Sequence, residues 1–244
     1  MAEERTSHDA LLDQVNAFAE LGGIVFAEHT LEAVMDRIAT LAKATIPGAD
    51  EVSVTLVNGK PVTAAATGDL AVAVDEVQYG AGTGPCLDAA EAATTVLIPD
   101  MAAEERWPEF TPLARDRGAE SSLSIGLPVQ QRVYGALNIY SRSPHAFDDD
   151  AVAAAESFAR YAAVAVANAT LYQATAALAE QMKVAMASRA VIDQAKGILM
   201  GAHGCDSEQA FTLLVTASQR HNRKLRDIAQ GIVDSVQRGD PAGG

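Results

Sequence analysis

Apolar residues first recur at helical spacing and then alternate with polar ones. Residues 8–22 and 28–46 repeat apolar side chains every three or four positions, which predicts two amphipathic helices. The stretch EVSVTLV, residues 51–57, alternates and is rich in β-branched residues, as is typical of a strand. Asn58–Gly59 then predicts a tight turn into a returning strand, residues 61–67.

A second group of short elements follows. Residues 94–100, 121–129 and 133–141 have the composition of strands, and the last two are close enough to pair. Residues 107–118 predict a short helix. The glycine-rich residues 69–94 indicate either irregular structure or short helix.

From about residue 149 the pattern is helical, and neither Pro nor Gly occurs before Gly197. Asp148 or a neighbour is suited to cap the start of this helix. Two interpretations stay open: the helix pairs in parallel with a second copy across residues 165–190, or it packs on its own sheet and then bends. The first rests on apolar positions repeated every seven residues, as in a coiled coil: Val164, Leu171, Leu178, Ala185 and Ile192.

Three helical segments end the chain. The first ends near His203–Gly204, and the second begins after Asp206, which with Gln209 has capping-box spacing. The second segment is expected to carry four apolar residues on one face: Ala210, Phe211, Leu214 and Ala217. The third follows a turn at His221–Asn222 and has its own apolar positions: Leu225, Ile228, Ala229, Ile232, Val233 and Val236.

Charge is distributed unevenly along the 244 residues. The formal net charge is −14, yet residues 183–238 hold 8 Lys and Arg against 5 Asp and Glu, whereas residues 1–182 hold 10 against 26. A basic segment on an acidic carrier indicates a negatively charged partner for that segment alone.

No uninterrupted apolar run approaches the roughly 18 residues of a membrane span, and the charged N-terminus is unlike a secretory signal. With two widely separated cysteines, we expect a cytoplasmic protein without membrane attachment.

Three local sequences are typical of a known family: GAGTGPCLDA at 80–89, RWPEF at 106–110 and YGALNIYS at 134–141. Together with the order of elements over residues 8–170, they resemble the GAF domains of actinobacterial regulators. The resemblance implies an α+β fold with an antiparallel sheet and flanking helices. GAF folds bind many ligands, so the resemblance leaves open whether a small molecule binds here and which one, and any cofactor stays unknown.

The C-terminal segment resembles a second family. SRAVIDQAKGILM at 188–200 and SEQAFTLLVTASQRHNRKLRDIA at 207–229 are similar to an ANTAR domain, an all-α module of three helices. The resemblance implies RNA binding and transcription antitermination, in which paired stem-loops of a nascent message are held so that a terminator hairpin does not form. Val215 departs from the family, which usually has an arginine after the leucine pair, so one expected contact is missing.

The two resemblances give the predicted domain organisation. A GAF-like sensor domain occupies residues 8–170, a coiled-coil-like helical linker residues 171–187, and an ANTAR RNA-binding domain residues 188–238.

One group of candidate RNA contacts lies on the first ANTAR-like helix. Lys196 can reach a phosphate, and Gly197 lacks a side chain, which lets a phosphate or another backbone approach. The alternative is a tight helix crossing at Gly197, with Lys196 in solvent. Arg189 shares the face of Lys196, Asp193 would oppose both charges, and Gln194 lies on the same helix.

A second group surrounds the turn into the last helix: Arg220, His221, Asn222, Arg223 and Lys224. Clustered Arg and Lys are the usual footprint of phosphate binding, and a solvated face is the alternative. His221 and Asn222 have the donors and acceptors to read an unpaired loop base, whereas Asn222 also suits a helix cap.

Cys86 and Trp107 are the candidate ligand contacts of the GAF-like segment. No basic residue within four positions would stabilise a Cys86 thiolate, so a packed thiol competes with a redox or cofactor role. Trp107 either walls a pocket or anchors the helix that follows it. No nucleophile triad, paired-carboxylate motif or metal-binding motif is evident, so we do not expect an enzyme.

The sequence therefore predicts a signal-responsive regulator that binds RNA, acts as a transcription antiterminator and dimerises through its linker helix. The alternative is a DNA-binding transcription regulator with a GAF ligand or redox sensor, since a three-helix basic module also suits a helix-turn-helix.

Overall fold

The computed structural model describes residues 15–238, except residues 18, 26, 131 and 132. The chain divides into two compact units, Met1–Gln173 and Ala174–Gly244. Of the helix predicted over residues 8–22, residues 15–17 and 19–22 are helical, and the rest lie outside the described residues.

The first unit is built on a five-stranded antiparallel sheet with the strand order β2-β1-β5-β4-β3. This confirms the α+β class that the sequence predicts. In chain order the elements are α1 (Leu31–Thr45), β1 (Glu51–Asn58), β2 (Lys60–Ala66), α2 (Asp69–Ala81), α3 (Pro85–Ala92), β3 (Thr95–Ile98), α4 (Thr111–Asp116), β4 (Ser121–Gln130), β5 (Val133–Ser141) and the start of α5 (Asp149–His203).

Residues 69–94, whose structure the sequence left open, contain two helices. Leu70, Ala71 and Val74 give α2 a buried face. Gly82 ends α2 with a φ of 69°, a left-handed conformation that glycine adopts without strain. Pro85 at the first turn of α3 fits a position where a backbone N–H has no helical partner.

One face of the sheet carries the main apolar core. Val54 of β1 and Leu137 of β5 belong to a buried cluster with Ile38 of α1 and Phe158 and Val166 of α5. The other face is covered by α2, α3 and α4 and is largely polar, as described below. The pleat thus separates an apolar layer from a polar one.

Helix α5 is 55 residues long and changes its surroundings along its length. Asp148 caps it, accepting a 2.8 Å hydrogen bond from the backbone N–H of Ala151, as the sequence predicts. Alanines and Phe158 bury its first part, up to Ala169. Every residue from 171 to 187 is exposed, and burial resumes at Val191 and Ala195.

Within the described part of the chain, α5 is also the one helix long and apolar enough to cross a membrane by length and composition. Its best 18-residue window has a mean hydropathy of 1.2, and 28% of that window is buried. A single helix of this kind is weak evidence for a membrane span, because core helices pass the same test.

The second unit consists of the end of α5, α6 (Ser207–His221) and α7 (Leu225–Gln237). Asp206 and Gln209 form the predicted capping box at the start of α6. Gly204, with a φ of 62°, follows the end of α5. The buried core is small and aliphatic, with four members: Ala195, Leu214, Ala229 and Val233.

Three apolar residues of this unit lie elsewhere than the periodicity predicts. Phe211 and Val236 are exposed: Phe211 lies at the margin of its helix face, and Val236 lies in the last turn of α7. Ile192, predicted to continue the heptad seam, packs instead against the aliphatic core of the second unit. The seam therefore stops before this residue.

Gly126 on β4 lies against the backbone of α3, so a substitution at this position tests how closely α3 packs on the sheet. A Cβ at Gly126 would overlap the carbonyl oxygen of Ala89 and lie 2.7 Å from the Cα of Ala93, both backbone atoms. We expect Gly126→Ala to lower the unfolding free energy by about 2 kcal/mol or more. Urea unfolding followed by the fluorescence of Trp107, the single tryptophan, measures this in the first unit.

Gly80→Ala is the matched control, because a Cβ at this exposed position of α2 would meet nothing within 4 Å. It should be neutral or stabilise by up to about 1 kcal/mol. Equal effects of the two substitutions would contradict the close packing of α3 on β4.

Candidate ligand layer and nucleic-acid interface

The polar face of the sheet forms a buried layer beneath α2 and α3. Ser53 and Thr55 on β1 alternate with apolar residues that face the other way, and Asn138 on β5 pairs in register with Ser53. Ser124 on β4 lies opposite Asn138 on its other side. All four side chains are fully buried.

Asp75 of α2 is the acidic centre of this layer. Its carboxylate accepts hydrogen bonds from the Tyr140 hydroxyl at 2.6 Å and the Thr63 hydroxyl at 2.7 Å. Burial raises the pKa of Asp75 above its ordinary value, although these hydrogen bonds oppose the shift. None of the ion pairs found among the described residues involves Asp75.

Cys86 lies at the edge of the same layer, in the first turn of α3. Its backbone N–H donates to Gln78 Oε1 at 2.8 Å, and its thiol donates to Thr55 Oγ1 at 3.3 Å. Burial and the nearby Asp75 charge raise the pKa of the thiol to about 12. At neutral pH Cys86 is therefore a neutral packed thiol and a poor nucleophile.

Three buried polar atoms of the layer lack a hydrogen-bond partner: Ser122 Oγ, Ser124 Oγ and Asn138 Oδ1. Unpaired buried polar groups are costly, and they are usually satisfied by water or a ligand. The strand register brings the three side chains to one region of the sheet, since Ser122 lies opposite Tyr140 next to the Ser124–Asn138 pair. Two hydroxyls and one carbonyl oxygen without a partner therefore lie close together in this region.

Trp107 lies in an apolar cluster with Phe110, Ile98 and Met101, which meets the polar layer at the ring of Tyr140. Its indole N–H donates to Asp88 Oδ2 at 2.9 Å, and the Arg106 guanidinium lies 4.5 Å from its ring centroid. The hydrogen bond from the indole to Asp88 therefore links the segment before α4 to α3. The structure does not place Trp107 in the polar layer with Cys86.

Sequence reasoning missed Asp75, Asn138 and Tyr140. The available signal was the polar residue at every second position of strands whose other positions are strongly apolar. A strand with one solvent-exposed face has the same alternation, so the pattern does not distinguish a solvent-exposed face from a buried polar layer.

The basic residues of α5 are partly neutralised within their own helix. Asp193 Oδ1 lies 3.7 Å from Lys196 Nζ, and Asp193 Oδ2 lies 3.9 Å from Arg189 Nε. The Lys196 side chain is only 22% exposed, whereas Arg189 and Gln194 are exposed. Gly197 is exposed too, and a Cβ there would meet nothing within 4 Å, so no helix of the described part of the chain crosses closely at this position.

The second basic group lies at the turn between α6 and α7. Asn222 is the C-cap of α6 with a φ of 49°, a left-handed conformation that asparagine tolerates. Arg220, His221, Arg223 and Lys224 are exposed, and for the described residues no ion pair involves their side chains. No side chain caps the N-terminus of α7, which begins after Lys224. Val215, in place of the family arginine, is half-buried.

No group of three or more His, Cys, Asp or Glu side chains that could hold a metal ion occurs among the residues that the structure describes.

Two family models match the chain. The GAF domain matches residues 28–167, more than half of its length, and the ANTAR domain matches residues 180–233. The chain belongs to the GAF–ANTAR regulators. This architecture is typical of signal-responsive regulators and not of enzymes, and the long helix between the two domains fits a coiled coil.

Solved structures resemble the GAF domain in fold. The GAF domain of a phosphoenolpyruvate-protein phosphotransferase from Coxiella burnetii is 19% identical, with a TM-score of 0.52 over 68% of this chain and 96% of that one. Free methionine-R-sulfoxide reductase from Neisseria meningitidis, solved with its substrate, is 18% identical, with a TM-score of 0.51 over 68% and 93%. The phycocyanobilin-bound GAF domain of a cyanobacterial phytochrome is 15% identical, with a TM-score of 0.50 over 65% and 96%. No curated protein matches the chain.

The pKa of Asp75 gives a test of the polar layer. Because burial raises this pKa, the neutral carboxyl stabilises the GAF fold, and that stability is lost as pH rises through the folded-state pKa. We expect Asp75→Asn, which cannot ionise, to gain stability relative to wild type between about pH 4, the pKa of a solvated aspartate, and pH 7. Urea unfolding across this pH range measures the difference.

Asp36→Asn, an exposed position on α1, is the control and should follow wild type at each pH. A stability difference between Asp75→Asn and wild type that does not change with pH would show that Asp75 does not titrate in this way.

Proposed function

We propose that this GAF–ANTAR protein binds paired stem-loops in nascent RNA and acts as a transcription antiterminator, as a homodimer paired through its linker helix. The observation that carries the proposal is the exposed cationic turn between α6 and α7, defined as residues 220–224. It lies in residues 183–238, which hold 8 Lys and Arg against 5 Asp and Glu in a chain of net charge −14.

The cationic turn has the features of a phosphate site. Arg220, Arg223 and Lys224 are exposed and form no ion pair among the described residues, so phosphate binding would not require an existing ion pair to break. The uncapped N-terminus of α7 adds backbone N–H donors and the positive end of a helix dipole. His221 and Asn222 are exposed beside these charges and are proposed to contact a loop base.

The α5 group is proposed as a second contact. Asp193 lies at the long distances given above from Arg189 and from the partly buried Lys196, and ion pairs of such length are weak. A phosphate can therefore displace Asp193. Gly197 leaves open space next to Lys196, and Gln194 is exposed on the same stretch of helix.

The exposure of residues 171–187 is the observation that supports the proposed dimer. An exposed helix of this length is marginal in water without packing against a partner. Leu178 and Met182 are each 58% exposed and occupy consecutive heptad positions, so a second copy would bury both side chains, whereas the seam position before them is the polar Thr175. Two tethered ANTAR domains would bind a paired RNA element more tightly than one.

The polar layer is proposed as the site of the signal. A small polar ligand that pairs with Ser122, Ser124 and Asn138 would satisfy atoms that now lack partners. Cys86 is close enough to this layer to contact such a ligand, whereas Trp107 would act through α3. Regulation requires that the ligand favour one arrangement of the chain over another.

Removing the cations of the turn should weaken RNA binding. We expect Arg223→Ala and Lys224→Ala each to lower affinity and to reduce the salt-dependence slope by about one unit, since each loses one phosphate contact. The probe is an RNA of two adjacent stem-loops, enriched on the wild-type chain from a pool with randomised loops, and binding is measured by fluorescence anisotropy at several salt concentrations.

Lys60→Ala removes the same charge from the β1–β2 hairpin and should leave both affinity and slope unchanged. Equal effects of all three substitutions would contradict a site at the turn. Tighter binding to duplex DNA than to the stem-loop RNA at one salt concentration would favour the DNA-binding alternative.

Polar residues in the linker seam should separate the two copies. We expect Leu178→Gln combined with Met182→Gln to give a monomer in sedimentation velocity and to weaken binding to the paired RNA element at least tenfold, although neither residue is proposed to contact RNA. Val184→Gln, exposed on the same stretch but off the seam, is the control. A monomeric double variant with full affinity would rule out dimer-dependent binding.

A further inference from the structure

An exposed stripe runs along α5 from the part that packs in the GAF core into the linker. Tyr161 and Val164 are 52% and 59% exposed, although Ala162 and Val166 beside them are fully buried. Val164 and Asn168 line an open groove of about 490 Å³, so no element of the GAF domain covers them. The stripe has eight members, and every one is exposed: Tyr161, Val164, Asn168, Leu171, Thr175, Leu178, Met182 and Ala185.

The spacing of the stripe is that of a helix paired with another helix. Its steps alternate between three and four residues without a break, which is a period of seven, whereas an unpaired straight helix repeats every 3.6 residues. The d positions are apolar: Val164, Leu171, Leu178 and Ala185. The a positions are mixed: Tyr161, Asn168, Thr175 and Met182. A second copy of the same helix matches this face, because in a parallel pair each position meets its own equivalent.

Charged side chains do not fix how two such helices pair. Residues 161–179 contain no Asp, Glu, Lys or Arg. The e and g positions beside the stripe, where charge pairs often set orientation in coiled coils, are all uncharged: Ala165, Ala167, Tyr172, Ala174, Ala179, Gln181 and Met186. Orientation and register therefore depend on the residues inside the stripe.

We propose that Asn168 sets the parallel orientation and the register of the paired helices. In a parallel pair in register, the Nδ2 of one Asn168 donates to the Oδ1 of the same residue in the second copy. In an antiparallel pair Asn168 faces an apolar d position, and a slip of one heptad places one of the two amides opposite Tyr161. Both alternatives bury an amide without its matching partner, which is costly. This inference rests on the dimer of the proposed function, to which it adds what fixes the arrangement of the two copies.

The test co-expresses two full-length chains with different affinity tags, each with one new cysteine in the stripe. The background is Cys205→Ser, and Cys86 is buried. Leu171→Cys with Leu178→Cys forms a mixed disulfide only if the register slips by one heptad. Val164→Cys with Met182→Cys forms one only if the helices are antiparallel, because residues so far apart in a parallel pair are beyond disulfide reach.

With Asn168 present, we expect disulfides between identical positions and no mixed disulfide. Asn168→Val should allow at least one of the two mixed disulfides. It should also lower the dimer dissociation constant about tenfold in sedimentation equilibrium, since the amide no longer has to be buried.

Thr175→Val is the matched control, because Thr175 occupies the next a position, is exposed and receives the same side chain. It should leave pairing in register, with no mixed disulfide. The fluorescence of Trp107 should be the same in both variants and in wild type, which checks that the GAF domain stays folded.

Each outcome separates this inference from the proposed function. No RNA is used, so a failure of RNA binding leaves the test intact. If wild type sediments as a monomer, the proposed dimer fails and the role of Asn168 fails with it; flotation of that monomer with phosphatidylglycerol vesicles would show that lipid covers the stripe. If Asn168→Val still pairs only in register, or if Thr175→Val also forms mixed disulfides, the dimer stands and the role of Asn168 is wrong.

Discussion

Helix α5 contributes to both cores of the protein, and its middle contributes to neither. Its first part supplies Phe158 and Val166 to the GAF core, and its last part supplies Ala195 to the ANTAR core. The stretch 171–187 between them is exposed at every residue. An amphipathic helix gains most of its stability from burying its apolar face, so burial of this stretch against a second copy would stabilise it. Under the proposed function, pairing of two copies would provide such a contact and would place two proposed RNA-binding surfaces beside each other.

The sheet of the GAF domain has one face that packs an apolar core and one that holds a buried polar layer. Aliphatic residues on the α1 and α5 side are buried by non-directional packing. The opposite face holds Asp75, Asn138 and Tyr140 in a hydrogen-bonded layer with three unsatisfied atoms, where a partly satisfied network is sensitive to whatever enters it. A buried carboxyl without a cation adds to that sensitivity, since its charge state depends on the same few partners.

The sequence was sufficient for the elements whose signals are local. The Asn58–Gly59 turn, the Asp206 capping box and the end of α5 at Gly204 each depend on residues close together in the chain. The helices of residues 69–94 and the exposure of Phe211 were not predictable in this way, because they depend on which distant residues cover them. The same limit applies to the candidate site: the basic residues were identifiable from composition, but the polar layer is assembled from three strands and a helix.

Cysteine cross-linking of the linker helix tests the central claim, that α5 pairs in parallel through its heptad seam. In a Cys205→Ser background, Cys86 is buried and a single new thiol can be placed along the helix. A disulfide requires Cα atoms within about 4.4–6.8 Å, which identical seam positions of a parallel pair can reach. We predict that Leu178→Cys forms a disulfide-linked dimer under mild oxidation and that Val184→Cys does not. Equal cross-linking at both positions, or none at Leu178→Cys in a chain that sediments as a dimer, would contradict this account.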